Sequence, residues 1–321
     1  MSSVDELTLR SDSVEVVVLP GIGGRIHRIQ AFGADLLRTP PHAATHLDEP
    51  IFWGAYPMAP WCNRAVAGTT EVAGKDVRLV PNFADGTAIH GLVLAAPWKS
   101  NTDGSMRVEA GGDGWPWRHD VSFVPRVSGR TVELTYRLVN RADSPMPAGL
   151  GLHPWFRRPV EVRLPAEAVY DANSGSPREP ESVAGSFDLR TLAEPSGGLD
   201  ATWTRLGERR IELHWRQLGV RAVLEMESDA TSACVALASP QSIDAVAIEP
   251  QTHGPDPLRR LTHGEPDAPI LLGPGGELRL VIWLAVGLVI YFAYGKKHSA
   301  GARGWPPAEA HIGQKVDHVP K

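Results

Sequence analysis

The chain alternates apolar and polar positions with a period of two over most of residues 10–286. Val14, Val16 and Val18 bracket Glu15 and Val17; Val132, Leu134, Tyr136 and Leu138 alternate with Glu133, Thr135, Arg137 and Val139; Ile211 and Leu213 flank Glu212. A repeat of two sends successive side chains to opposite faces, so these segments are expected to be half-buried strands. Turn clusters separate them, at Pro20-Gly21, Ala84-Asp85-Gly86, 111–114 and 273–276. Short strands with frequent turns predict an all-β protein, a large antiparallel sandwich or barrel. Beyond Pro40 no convincing 3.6-residue stripe is present, apart from one short helix allowed at 186–192, so a doubly wound parallel sheet is not expected. The last alternating set is Leu278, Leu280, Ile282, Leu284 and Val286. It divides the chain into one domain over 1–286 and a tail over 287–321 without a core-forming pattern.

Composition narrows the partners. With 32 basic against 37 acidic residues in 321, and no long basic run, nucleic acid is not an expected partner, because phosphate contacts need clustered Lys and Arg. Two cysteines, Cys62 and Cys234, are too few for a disulfide framework or a thiolate zinc cluster, and favour a reducing compartment. The opening MSSVDELTLR lacks an apolar signal core, so cytoplasmic residence is expected. At the other end, 280–295 runs without a charge and is followed by Lys296-Lys297. Those residues fall short of the roughly 18–20 needed to cross a bilayer. Any membrane association would rest on this run alone.

Four clusters set polar or ionisable side chains among apolar or proline-rich neighbours: Pro60-Trp61-Cys62-Asn63-Arg64, Ile89-His90-Gly91, Gly151-Leu152-His153-Pro154-Trp155-Phe156 and Ile248-Glu249-Pro250-Gln251-Thr252. One carboxylate and two imidazoles can supply a base, an acid and a polarising donor near neutral pH. Trp61, Trp98, Trp117 or Trp155 could offer a flat apolar face to a ring. Two metal spacings are set aside. His42 and His46 lie beside Pro40-Pro41, where a shared helix face is doubtful, and Glu249 and His253 have Pro250 between them. Pro20-Gly21-Ile22-Gly23-Gly24-Arg25 lacks phosphate-loop spacing and is taken as a hairpin turn.

Taken in order, GGRIHRIQAFGADLL, YPMAPWCNRAVAG, NFADGTAIHGL, GLHPWF, GLDATW and IEPQT resemble the aldose 1-epimerase (galactose mutarotase) family over residues 14–286. The resemblance implies a β-supersandwich whose concave face holds a monosaccharide, with interconversion of α and β anomers and no cofactor. It assigns the general acid to His153 and the general base to Glu249, with Arg64, His90 and Asp200 contacting sugar hydroxyls; Asn63 is a further candidate contact. The base would have to be ionised and the acid protonated, which a neighbouring carboxylate favours. Leu152 before His153 and Arg157-Arg158 after Phe156 depart from the galactose-specific pattern. A hexose-6-phosphate branch, with the Arg pair on phosphate, and a non-catalytic sugar binder are the alternatives; a solvated Arg pair is the plainer reading.

The segment GLVIYFAYGKKHSA resembles the cytoplasmic end of the last helix in amino-acid permeases. Lysine occurs twice before position 280 against 25 arginines, then four times against one, so the basic preference changes at the same place. Two readings stand: a segment joined to the domain by fusion or by a gene-model error, and an apolar extension of the last strand. Either way, the chain after Gly287 is expected to be dispensable for activity.

Overall fold

The computed structural model describes residues 4–174 and 177–288. Among them, an eleven-stranded and an eight-stranded sheet pack face to face, every strand pairing within them antiparallel. The predicted alternation explains the eight-stranded sheet directly. Strands Trp115–Ser128 and Thr131–Asn140 pair in register from Ser128↔Thr131 to His119↔Asn140 around a two-residue turn in which Gly129 takes φ 55°. Such a turn needs left-handed backbone, which glycine adopts without steric cost. Phe123, Leu134, Tyr136, Leu138, Leu280 and Ile282 from this sheet meet Val16, Val18, Ile26, Phe156, Leu237 and Ile248 from the other to form the core.

The C-terminal apolar run requires a correction. Its first nine residues are the end of strand Glu277–Leu288, paired on one side with Thr131–Asn140 and on the other with Val220–Ser228. Leu280, Val281 and Ile282 are all buried in succession, so this stretch of the strand is covered on both faces and carries apolar residues on both. The permease resemblance is not borne out, and no helix among the described residues is long and apolar enough to cross a membrane. Residues 289–321 of the expected tail lie outside the described residues. The short helix expected at 186–192 is a 3-10 turn at Gly185–Phe187, whereas helix Pro257–His263 was not anticipated.

The larger sheet positions the site. Its strands run in the order Leu7–Arg10, Val14–Leu19, Arg25–Ala31, Ala55–Met58, Gly151–Arg157, Ala245–Gln251, Cys234–Ala238, Asp200–Leu206, Ala166–Asp171, Glu181–Ser182, with Ala34–Asp35 beside the third. Registers His153↔Tyr56, Ala236↔Glu249 and Thr202↔Ala236 are direct, and Gly151↔Gln251 with Trp155↔Ala247 set His153 opposite Glu249. Tyr56, His153, Glu249, Ala236 and Thr202 therefore form one row across five strands. The row beside it carries Trp155, Ala247, Ala238 and Asp200. Because the side-chain period is two, both rows face away from the core, toward the loops that cover this sheet.

Candidate active site

The six residues picked from sequence, Asn63, Arg64, His90, His153, Asp200 and Glu249, all line one cavity of about 220 Å³ over these rows. His153 and Glu249 reach it from neighbouring strands. Asp200 begins its strand, and Asn63 and Arg64 stand where the 60–64 loop enters the short strand Arg64–Ala65, paired to Ala88–Ile89 ahead of His90. Asn63 and His90 both take left-handed backbone, φ 58° and 63°. His90 N–H donates to Asn63 O at 3.1 Å, tying the two bends together. The turn works only with glycine at 91, since a Cβ there would stand 1.9 Å from Ala59 O.

His153 Nε2 lies 3.1 Å from Glu249 Oε1, and both side chains are almost fully buried. Burial governs their protonation. It pushes Glu249 up to about 8, with Asp200 adding to the rise and Arg64 opposing it. It pushes His153 down to about 3, with Arg25 and Arg64 acting in the same direction. His90 is held well below its ordinary value by burial and by His153 beside it. The resting pair is therefore a protonated Glu249 against a neutral His153, the reverse of the charged pair expected from sequence, because a dry site disfavours both charges. What it conserves is the count: one proton shared over one hydrogen bond.

Arg64 closes the polar side. Its Nε donates to Asp85 at 2.7 Å and its second nitrogen to Asp200 at 2.9 Å. Burial works against its charge, but Asp200 and Asp85 together hold its pKa above the ordinary value. Asn63 Nδ2 donates to Thr202 Oγ1 at 3.0 Å, and its Oδ1 accepts from Arg64 N–H at 2.7 Å. Sequence reasoning missed Asp85; its Ala84-Asp85-Gly86 context marks only a turn. Ile51, Phe52, Phe83, Ile89, Trp155 and Leu199 add apolar surface to the lining, with the Phe83 ring centroid 5.4 Å from the Arg64 guanidinium carbon. Of the four tryptophans considered, Trp155 alone lines this cavity, while Trp61, Trp98 and Trp117 are core residues.

Ligating atoms of His90, His153 and Glu249 lie within 4.8 Å of one another, the arrangement among the described residues that could hold a divalent ion. The two spacings set aside earlier have other uses. His46 Nδ1 bonds Arg25, and His253 Nε2 accepts the Cys62 N–H. Arg157 is exposed, and Arg158 is tied to Glu194, Ser239 and two backbone carbonyls, so neither arginine lines the cavity.

The aldose 1-epimerase family model matches residues 5–284, and the chain belongs to that family. YphB of Escherichia coli K12, itself uncharacterized, is 25% identical over 239 residues, covering 68% of this chain and 79% of that protein. Solved structures share the fold. A galactose mutarotase-like protein from Clostridium acetobutylicum superimposes with TM-score 0.75 at 18% identity, covering 88% of this chain and 94% of the other. Galactose 1-epimerase from Lactobacillus acidophilus gives 0.70 at 16% identity, with coverage of 88% and 94%.

Proposed function

We propose that the protein is an aldose 1-epimerase acting on a free hexose, with Glu249 and His153 as its acid–base pair. The observation that carries this is the buried 3.1 Å contact between them in a cavity lined by both polar and apolar side chains. Anomer exchange needs a proton taken from the C1 hydroxyl and one given to the ring oxygen. A sugar whose hydroxyls meet Asn63, Arg64, His90 and Asp200 brings polar groups to a site that otherwise disfavours charge. The shared proton then moves onto His153, leaving Glu249 as base. Glu249 takes the C1 proton, His153 protonates the ring oxygen, and the ring opens to the aldehyde. Rotation about C1–C2 and closure on the other face, with the two residues exchanging roles, give the other anomer. Each positioned proton transfer contributes on the order of 10²–10⁴ in rate.

A neutral sugar suits this site better than a phosphorylated one. The Arg64 charge is matched by Asp85 and Asp200, and the cavity holds two carboxyl groups against that one arginine. Polarimetry of freshly dissolved α-glucose, α-galactose, other aldoses and their 6-phosphates tests both points. Equilibration no faster than in buffer for any of them leaves a sugar-binding protein without turnover. Faster equilibration of the 6-phosphates alone moves the substrate to the phosphorylated branch.

The proton count predicts the pH profile. An empty base and a loaded acid together hold one proton, which the pair retains below about 8 and loses above it. Enzyme-catalysed kcat/KM is expected to be level from pH 6.5 to 7.5 and to fall through pH 8–9; a rise through that range would show that the base titrates alone. Arg64→Ala is expected to raise KM about tenfold or more, as loss of a charge-assisted hydrogen bond would, and to lower kcat by no larger factor. A pure kcat loss would place Arg64 in the proton-transfer step instead.

A further inference from the structure

Arg25 is fully buried, and among the described residues no carboxylate pairs with it. Its guanidinium donates to Ile22 O at 3.1 Å, Pro50 O at 2.9 Å, Leu94 O at 3.0 Å and His46 Nδ1 at 2.9 Å. Arginine cannot accept, so His46 carries its proton on Nε2 and donates from there to His27 Nδ1 at 3.0 Å. A planar fork with all its nitrogens engaged is fixed in place, and lysine cannot reproduce it. Register Ile26↔Ala55, continued by one residue, sets Arg25 beside Tyr56 and extends the site row to Arg25, Tyr56, His153, Glu249. The guanidinium carbon lies 5.4 Å from the Tyr56 ring centroid.

Tyr56 is fully buried, does not line the cavity, and stacks on His153 at 4.6 Å with planes 24° apart. His153 needs that support. Its Nδ1 is buried with no partner beyond its own backbone carbonyl, so no hydrogen bond to another residue fixes the ring from behind. The other rings against it, His90 at 4.8 Å and Trp155 at 5.2 Å, face the cavity and are positioned to meet the sugar. Tyr56 alone is free to act as a backing plate.

We propose that Arg25 and Tyr56 are positioning residues for the acid–base pair: the pinned guanidinium fixes the Tyr56 ring, and the ring fixes the plane of His153. This rests on the acid–base reading above. The charged and titratable groups acting on His153 are Glu249 and His90 from the cavity side, Tyr56 and Arg25 along the row, and Arg64 across the cavity. Arg25 thus also opposes a charge on the imidazole.

The experiment compares Tyr56→Leu, Tyr56→Phe and Arg25→Gln with the wild-type chain for kcat, KM and thermal midpoint at pH 7. Tyr56→Leu is expected to lower kcat about tenfold to a hundredfold, as misplacement of a reacting group does, with KM within about twofold. Tyr56→Phe keeps the ring and is expected to restore kcat. Arg25→Gln, which cannot hold all four acceptors, releases the Tyr56 ring and is expected to lower kcat in the same way, with KM within about twofold. Wild-type kcat in Tyr56→Leu, or in a folded Arg25→Gln protein, overturns the proposal. So does a lowered thermal midpoint with kcat per folded molecule unchanged. If Arg25→Gln does not fold, the Tyr56 pair decides. Full activity in His153→Asn and Glu249→Gln would instead remove the acid–base reading, a separate result.

Discussion

Glu249→Gln is expected to lose most of kcat, by a factor of 10² or more, and to be more stable than the wild-type chain at pH 8.5. The activity loss follows from removing the group that takes the C1 proton. The stability gain follows from linkage. Burial raises the Glu249 pKa from 4.5 to about 8, so the folded state resists ionisation that the unfolded chain undergoes freely. Stability from this group is fully present below about pH 4.5 and is lost as pH rises to about 8, at roughly 1.4 kcal/mol per unit. Glutamine has no charge to bury, so the variant escapes a penalty on the order of a few kcal/mol at pH 8.5, and the difference shrinks toward pH 6. Urea titrations of both proteins at the two pH values measure it. A variant less stable than wild type at pH 8.5 would mean that the ionised carboxylate is well solvated or paired, and that its role as a strained base is wrong.

The parts of this site that were legible in the sequence are those where chemistry shows locally. His153 between Leu152 and Pro154, and Glu249 between Ile248 and Pro250, are ionisable groups in segments otherwise fit for a core, and both are 3% exposed. Alternation likewise identified Thr131–Asn140, because that strand has one face in the core and one toward solvent. Arg25 and Tyr56 were not legible as site residues. Parity tells which face a side chain takes, but not which strand lies beside it, and the row linking Arg25 to Glu249 joins residues more than 200 positions apart. Beyond Val286 strand Glu277–Leu288 runs on through Gly287 and Leu288, where the alternation stops, and hydropathy alone cannot separate such an end from an anchor. Helix Pro257–His263 is too short to show a period. Its two signals, proline at the first turn and Gly264 at φ 64° after the last, become meaningful only once the helix is known.

Mild acid is expected to unfold the protein sooner than its carboxylates alone would suggest. Five histidines among the described residues are buried as neutral rings, and burial lowers each below 6.5: His46 and His153 to about 3, His253 to about 4, His90 well below the ordinary value, and His119 below it. Geometry explains why two of them resist a proton. His253 Nε2 accepts the Cys62 N–H at 3.0 Å while its Nδ1 donates to Gly254 O, so a second proton would break the first bond. His46 Nδ1 accepts from the Arg25 cation, and protonation would set two positive groups 2.9 Å apart. For a histidine with a lowered folded pKa, stability is intact above 6.5 and is lost as pH falls toward the folded value. Each such group costs about 1.4 kcal/mol per pH unit in that window. The four other than His119 together cost roughly 5–6 kcal/mol per unit, and the concurrent gain from Glu249 returns about 1.4, leaving roughly 4. A domain with an unfolding free energy of about 5–15 kcal/mol then crosses its midpoint within about one to three and a half units below 6.5, that is, between about pH 5.3 and 3. Urea midpoints measured from pH 7 to pH 5 check this. The slope of stability with pH should fall by about a third in His253→Gln relative to wild type. A flat profile down to pH 5 would show that these rings take up protons in the folded state, and with them would go the dry site on which the shared proton of Glu249 and His153 depends.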